Sequence, residues 1–323
     1  MARDLAPLAE GATIEAAWWD GEPTIRHPQP EAFARVISGR RVERVGRRAK
    51  WLVLDLSGEM VLAVQVKMTG QIFVLPADTE HDQHVHLRLT LDPGPVSGGR
   101  VHAGPLWLLF RDVRKFGRVG LYRRRADGVI LGAGDEGELF GGHGPEPLED
   151  DFTLRRFRQR LRHRRGRLKT TLLDQSFIAG VGNIYADESL WRARLHPLRS
   201  ADGLNTDQER RLYEAVRGVM SEAIERRGSS VDDYTAPEGG GEMQEHLDVY
   251  QRTGRPCRRC GRTVVRFELN ARGTHFCSWC QRLPAVDRSP SNLALVRRAR
   301  RAAQRGRNWS ELGGPSGAGE RAH

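Results

Sequence analysis

Four thiols carry the clearest chemistry in this sequence. Cys257, Cys260, Cys277 and Cys280 are its only cysteines, arranged as two Cys-x2-Cys pairs sixteen residues apart. Two close thiolate pairs meet the tetrahedral, fully protein-ligated demand of a structural Zn2+ and leave no position for a reactive water. A redox dithiol or an iron–sulfur centre could use the same donors. Between the pairs, Thr263–Leu269 and Gly273–Phe276 read as the strands of a ribbon, with Arg272 in the turn that joins them. That arginine is either a solvated turn cation or a phosphate contact. A second candidate anion site is Gly180-Val181-Gly182-Asn183. Glycines there admit close backbone approach, and the helix expected to follow points free N–H groups outward.

The elements that must hold these groups change period along the chain. Trp51–Leu56, Val61–Val66, Gln71–Leu75, His86–Leu91 and Trp107–Phe110 are short, apolar or alternating, and separated by turn residues. Such a run predicts an antiparallel sandwich or barrel over residues 1–125, with Ala32–Ser38 as its one clear helix. Residues 126–148 are rich in glycine and proline and read as a linker. Helices are expected over 153–161, 168–176, 184–194 and 206–227, with Asp150 or Thr153 and Thr206 as caps and Gly228 as a stop. That helical domain is expected to span 149–247 and the finger 248–284, leaving 285–323 as a basic, disordered tail.

The 323 residues carry +11, with a mean hydropathy of -0.56 and a pI near 10.2. Arginine supplies most of the surplus. The tail holds eight arginines against Asp287, Glu311 and Glu320, and so +5 of the total. Apolar runs such as Met60–Val66 are strand-sized, so no membrane span is expected. The opening Met1-Ala2-Arg3-Asp4 lacks the pattern of a secretory signal, and a cytoplasmic, nucleoid-associated protein is expected.

Taken together, Ile178-Ala-Gly-Val-Gly-Asn-Ile-Tyr-Ala-Asp-Glu-Ser-Leu and the paired cysteines resemble the formamidopyrimidine-DNA glycosylase / endonuclease VIII family, in its formamidopyrimidine-DNA glycosylase branch. So do Arg47-Arg-Ala-Lys-Trp-Leu, Lys67-Met-Thr-Gly, Arg111-Asp-Val-Arg-Lys-Phe-Gly and Gly144-Pro-Glu-Pro-Leu. The likeness runs in order over residues 3–284. It implies an α+β fold: an N-terminal antiparallel β-sandwich, a helix-two-turn-helix domain and a C-terminal zinc-ribbon finger. The implied activity is excision of oxidised purines from damaged double-stranded DNA, followed by strand cleavage, by a monomer carrying one structural zinc.

The resemblance also implies site residues. Met68, Arg114 and Phe116 match a wedge that fills the gap left by a flipped base. Lys50 matches a proton donor in β-elimination, and Arg272 an arginine of δ-elimination and phosphate contact. Lys169 and Asn183 look like phosphate ligands, Arg164 and His84 (or His81) like further DNA contacts, and Glu188 like a second-helix carboxylate. One departure stands out. The family opens Pro-Glu-Leu-Pro-Glu-Val-Glu after its first methionine, and the proline amine forms a Schiff base. Here Ala2-Arg3 follow Met1 instead, so an upstream start carrying that proline is expected. The alternative is a catalytically inactive protein of the same fold that binds damaged or abasic sites. A zinc-ribbon transcription or RNA-binding factor is a further alternative, and would have no wedge.

Overall fold

The structure is a computed structural model that describes residues 1–21, 23–93, 104–134, 137–228 and 242–311, with side chains as far as Arg305. Met1–His143 form one compact unit. Its elements are α1 (Ala2–Ala9), β1 (Thr13–Trp19), β2 (Ile25–His27), α2 (Pro30–Ile37), β3 (Val42–Arg48), β4 (Trp51–Leu56), β5 (Met60–Gln65), β6 (Gly70–Pro76), β7 (Val85–Asp92), β8 (Leu106–Asp112) and β9 (Arg118–Arg123). A four-stranded sheet ordered β1-β7-β8-β6 faces a five-stranded sheet ordered β2-β9-β5-β4-β3. All pairings are antiparallel except the short β2–β9 pair. Alternate residues of both sheets share the core, Leu87, Leu89 and Leu91 of β7 with Leu52, Leu54 and Leu56 of β4, the period-two burial a sandwich requires.

Helix α1, in a stretch for which no element was read, holds Pro7 inside it and buries Leu5 and Ala9 one turn apart. One reading of this unit is corrected: the stretch read as a linker does not run free. Leu131 N donates to Arg123 O (2.9 Å) and Leu139 N to Ile130 O (2.8 Å), which folds Ile130 and Phe140 over Val53, Val61, Ala63 and Tyr122. That cover explains why β4 is apolar at consecutive residues: it is buried on both faces.

The second unit contains Gly144–Gly228 and the described residues from Glu242 onward. Its elements are α3 (Leu154–Arg162), α4 (Leu168–Leu173), α5 (Asn183–Arg192), α6 (Thr206–Glu225), β10 (Val264–Leu269), β11 (Arg272–Cys277) and α7 (Pro290–Glu311). Thr153 caps α3, while Asn205, not Thr206, caps α6 through a reciprocal pair with Gln208. Gly228, at φ +83°, closes α6 by donating to Ala223 O (2.7 Å). Helix α4 stops three residues earlier than expected, where Asp174 Oδ1 accepts from Ser176 N (2.8 Å). Gln175 then braces the double turn: its amide donates to Leu173 O and Val181 O, and its Oε1 accepts from Gly180 N.

Over residues 290–311 the tail, for which a transient helix at Leu293–Arg305 was the most that was expected, is a helix packed on the finger, while 312–323 lie outside the described residues. Helix α7 lays Val296, Ala299 and Ala303 against Val265, Phe267 and Leu269 of β10, beside Phe276. Composition suggested disorder because arginine and alanine dominate, but one apolar residue per turn is enough when a neighbouring sheet covers it. No helix among the described residues is long and apolar enough to cross a membrane.

Candidate functional site

In the sandwich unit, two loops bring three exposed side chains together. Met68 lies between β5 and β6, and Arg114 and Phe116 between β8 and β9. Met68 is 70% exposed and Phe116 54%. The Arg114 guanidinium stands 3.7 Å from Met68 Sδ and 4.9 Å from the Phe116 ring centre. Exposed large apolar side chains gain little from burial, and the Arg114–Phe116 contact adds only about 0.5–1 kcal/mol, so their placement depends on what lies beneath.

Asp112 supplies that support, and sequence reasoning missed it. Its fully buried carboxylate accepts from Thr69 Oγ1 (2.5 Å), Gly117 N (2.7 Å) and Arg114 N (3.3 Å). One carboxylate thus fixes both loops. The Asp112 N–H donates to His84 O (2.9 Å), and its carbonyl faces His86 Nε2 (2.8 Å). The other His86 ring nitrogen is 2.5 Å from Asp20 Oδ2. The glycines in these loops are steric requirements. A Cβ on Gly70 would sit 2.2 Å from Val66 O, and one on Gly117 2.3 Å from the Phe110 ring. The aspartate inside Arg111-Asp-Val-Arg-Lys-Phe-Gly was the available signal, but its burial was not written there.

His84 is half-buried next to this support, and Asp82, held low by the Arg111 guanidinium despite some burial, caps its N–H (3.0 Å). His81 lies tilted against Trp18 and edge-on to Trp107. Lys50 is exposed in the turn between β3 and β4, just after Ala49 at φ +53°.

In the second unit α5 is the mast of the site. Buried from Ala186 to Trp191, it anchors three parts of the finger. Asp187 accepts from His275 N (2.9 Å). Glu188 accepts from the N–H groups of Asp248, Val249 and Tyr250 at 2.9–3.0 Å. Burial pushes the Glu188 carboxyl up to about 7 against those donors, and with no exposed surface it clamps the 248–250 loop. Trp191 Nε1 donates to Cys257 Sγ (3.4 Å).

Lys169 differs most from its expectation. Its ammonium is wholly buried, donating to Asp187 Oδ1 and Gly273 O, both at 2.7 Å. Burial pulls its pKa below the usual lysine range, Asp187 opposes this, and the nearby Arg266 and Arg272 add to the lowering. A phosphate could not reach it without unfolding the finger contact, so the phosphate-ligand reading of Lys169 is corrected to a hairpin clamp. Asn183 Nδ2 donates to the same carbonyl (3.1 Å), and its Oδ1 is buried with no partner among the described residues. Helix α5 begins here without a side-chain cap. Arg164 is also engaged, donating to Asp174 (2.8 Å) and Ser176 (3.0 Å).

The hairpin turns through Asn270 and Ala271, both left-handed at φ +50° and +57°, so Arg272 is the exposed first residue of β11 and not a turn residue. The four Sγ atoms lie within 4.8 Å of one another, with Cys257···Cys280 at 4.0 Å and Cys260···Cys277 at 3.5 Å. A tetrahedral zinc with bonds of about 2.3 Å needs thiolates about 3.8 Å apart, so the set fits one structural Zn2+.

The sandwich unit carries exposed apolar side chains beside a cation, and the second unit a four-cysteine finger joined to a helical body, an α+β architecture with a structural metal site. Comparison with known proteins gives the family. The chain matches the formamidopyrimidine-DNA glycosylase N-terminal domain over residues 1–119, the H2TH domain of the same enzyme over 143–235 and the zinc finger found in FPG and IleRS over 254–283. It is 45% identical to a formamidopyrimidine-DNA glycosylase of Chloroflexus aurantiacus, across 87% of this chain and 94% of that one. A Heliobacterium modesticaldum protein of the same name is 43% identical, across 87% and 96%. Among solved structures, the Lactococcus lactis Fpg complexed with abasic-site DNA superposes with a TM-score of 0.74 at 28% identity, covering 87% of this chain and 97% of that one. The MutM (Fpg) protein of Thermus thermophilus gives 0.70 at 37% identity, covering 87% and 95%. The chain belongs to the formamidopyrimidine-DNA glycosylase family.

Proposed function

We propose that this chain is a DNA glycosylase with abasic-site lyase activity that removes oxidised purines, 8-oxoguanine and formamidopyrimidines, from duplex DNA at the nucleoid. The observation that carries the reading is the Met68–Arg114–Phe116 trio, exposed and held from below by the Asp112 carboxylate. Base excision requires the nucleotide to leave the stack, at a cost of a few kcal/mol. Met68 and Phe116 offset that cost by occupying the hole, since a fully buried side chain of their size gains roughly 1.5–3 kcal/mol. Arg114 presents donors to the orphaned partner base.

Lys50 is the proton donor of β-elimination. Arg272, with Asn183 and the α5 N-terminus, takes the flanking phosphate, where helix N–H groups favour an anion. In the family the Schiff-base amine is that of the leading proline, whose nitrogen bonds to C1′ as the base departs; with Ala2 and Arg3 after Met1 this sequence does not hold that proline.

Borohydride trapping on a duplex with one 8-oxoguanine tests the assignment. It is run on the 323-residue chain and on the same chain preceded by Pro-Glu-Leu-Pro-Glu-Val-Glu. A covalent adduct from at least one is expected. No adduct from either would leave only a lesion-binding protein.

A further inference from the structure

Helix α7 lies beyond Leu283, the last residue matched by the finger family. Its junction is built as firmly as the finger itself. Asp287 Oδ1 accepts from Ser200 N (3.2 Å), Asn292 Nδ2 donates to Asp287 O (2.8 Å), and Arg288 Nε donates to Leu283 O (3.0 Å). With Val296, Ala299 and Ala303 turned onto β10, helical spacing directs Arg297, Arg298, Arg301 and Arg305 outward, and all four are exposed.

Folding does not explain that stripe. Residues 290–305 contain no Asp or Glu, and like charges three or four apart destabilise a helix by a few tenths of a kcal/mol per pair. Arginines on α6 are treated differently: Arg210 pairs with Asp207 and Glu214, Arg211 with Asp207, and Arg226 with Glu222. A general arginine-rich composition would scatter carboxylates among the α7 arginines in the same way, and no salt bridge to those arginines is found among the described residues.

We propose that the outward face of α7 is a second duplex-phosphate contact, continuous with the hairpin that carries Arg272. The four arginines span about 12 Å of helix. Duplex DNA presents one charge per roughly 1.7 Å of axis, so a stripe of that length faces several phosphates. Helix α7 packs on β10, and Arg272 opens the paired strand β11, so a contact on α7 acts on the hairpin that carries Arg272 without reading sequence. The inference rests on the DNA reading above.

Salt titration of binding to an intact duplex several turns long tests it. Arg297, Arg298, Arg301 and Arg305 are replaced together by Gln, a comparable helix former, or together by Lys. Zinc content and melting report folding. The slope of log K against log salt is expected to become shallower by about 2–3 in the Gln variant and to stay unchanged in the Lys variant. Affinity of the Gln variant near physiological salt should fall about tenfold or more. An unchanged slope in a folded Gln variant overturns the proposal, as does an equal loss in the Lys variant. So does a loss seen for single-stranded RNA but not for duplex. Failure of the wild-type chain to bind any duplex would instead overturn the DNA reading itself.

Discussion

Replacing Lys169 by methionine is expected to destabilise the helical unit by about 3–5 kcal/mol, the cost of leaving a buried partner charge uncompensated. The Asp187 carboxylate would keep only its bonds to His275, and Gly273 O would lose one of two donors. Adding Asp187→Asn removes the stranded charge and should recover at least half of the loss. Denaturant midpoints check this. The same variants separate the clamp from a phosphate ligand: a lysine on DNA would change the salt slope by about one and leave stability alone. A Lys169→Met protein that is fully stable but has that altered slope would contradict the geometry.

Asp112→Ala is the second large effect. It removes the acceptor shared by Thr69, Gly117 and Arg114 and leaves buried donors unpaired. With each such group costing about 1–3 kcal/mol, the sandwich unit should lose roughly 3 kcal/mol. The functional loss should be more specific. Met68 and Phe116 would keep their chemistry but lose their fixed poses, so the preference for an abasic-site duplex over an intact one should drop about tenfold or more, the cost of holding groups loosely. Intact-duplex affinity, set by phosphate contacts, should change little. Equal loss on both duplexes would show that Asp112 supports only folding.

Residue type and spacing carried some of this site and could not carry the rest. The cysteine pairs were legible because tetrahedral coordination imposes their spacing locally. The exposure of Met68 and Phe116 was not legible from residue type, since a methionine and a phenylalanine in loops look the same whether buried or exposed, and their wedge role rests on resemblance. Lys169 was misread because a lysine beside a glycine-rich turn has the chemistry of a phosphate ligand, while its burial depends on a hairpin about a hundred residues later. Asp112 and Asp187 were missed for the same reason: each works through partners distant in sequence. In the fold, β7 followed from apolar alternation, and β4 and β5 from short apolar runs between turn residues. Strand β3 did not, because Arg44, Arg47 and Arg48 outweigh Val42 and Val45 in its composition. The Arg-Ala pattern of α7 likewise hid an apolar edge that only a neighbouring sheet makes useful.

In the proposed reading, exposed plugs on the sandwich recognise damage by entering the duplex. The most direct measurement is the ratio of dissociation constants for intact and abasic-site duplexes, taken for the wild-type chain and for Met68→Ala/Phe116→Ala. Stacking a side chain into a vacated base position is worth about 1–3 kcal/mol. The wild-type chain should therefore favour the abasic duplex by roughly ten- to a hundredfold, and the double variant should bind both duplexes almost equally. A double variant that keeps the wild-type ratio would contradict the account.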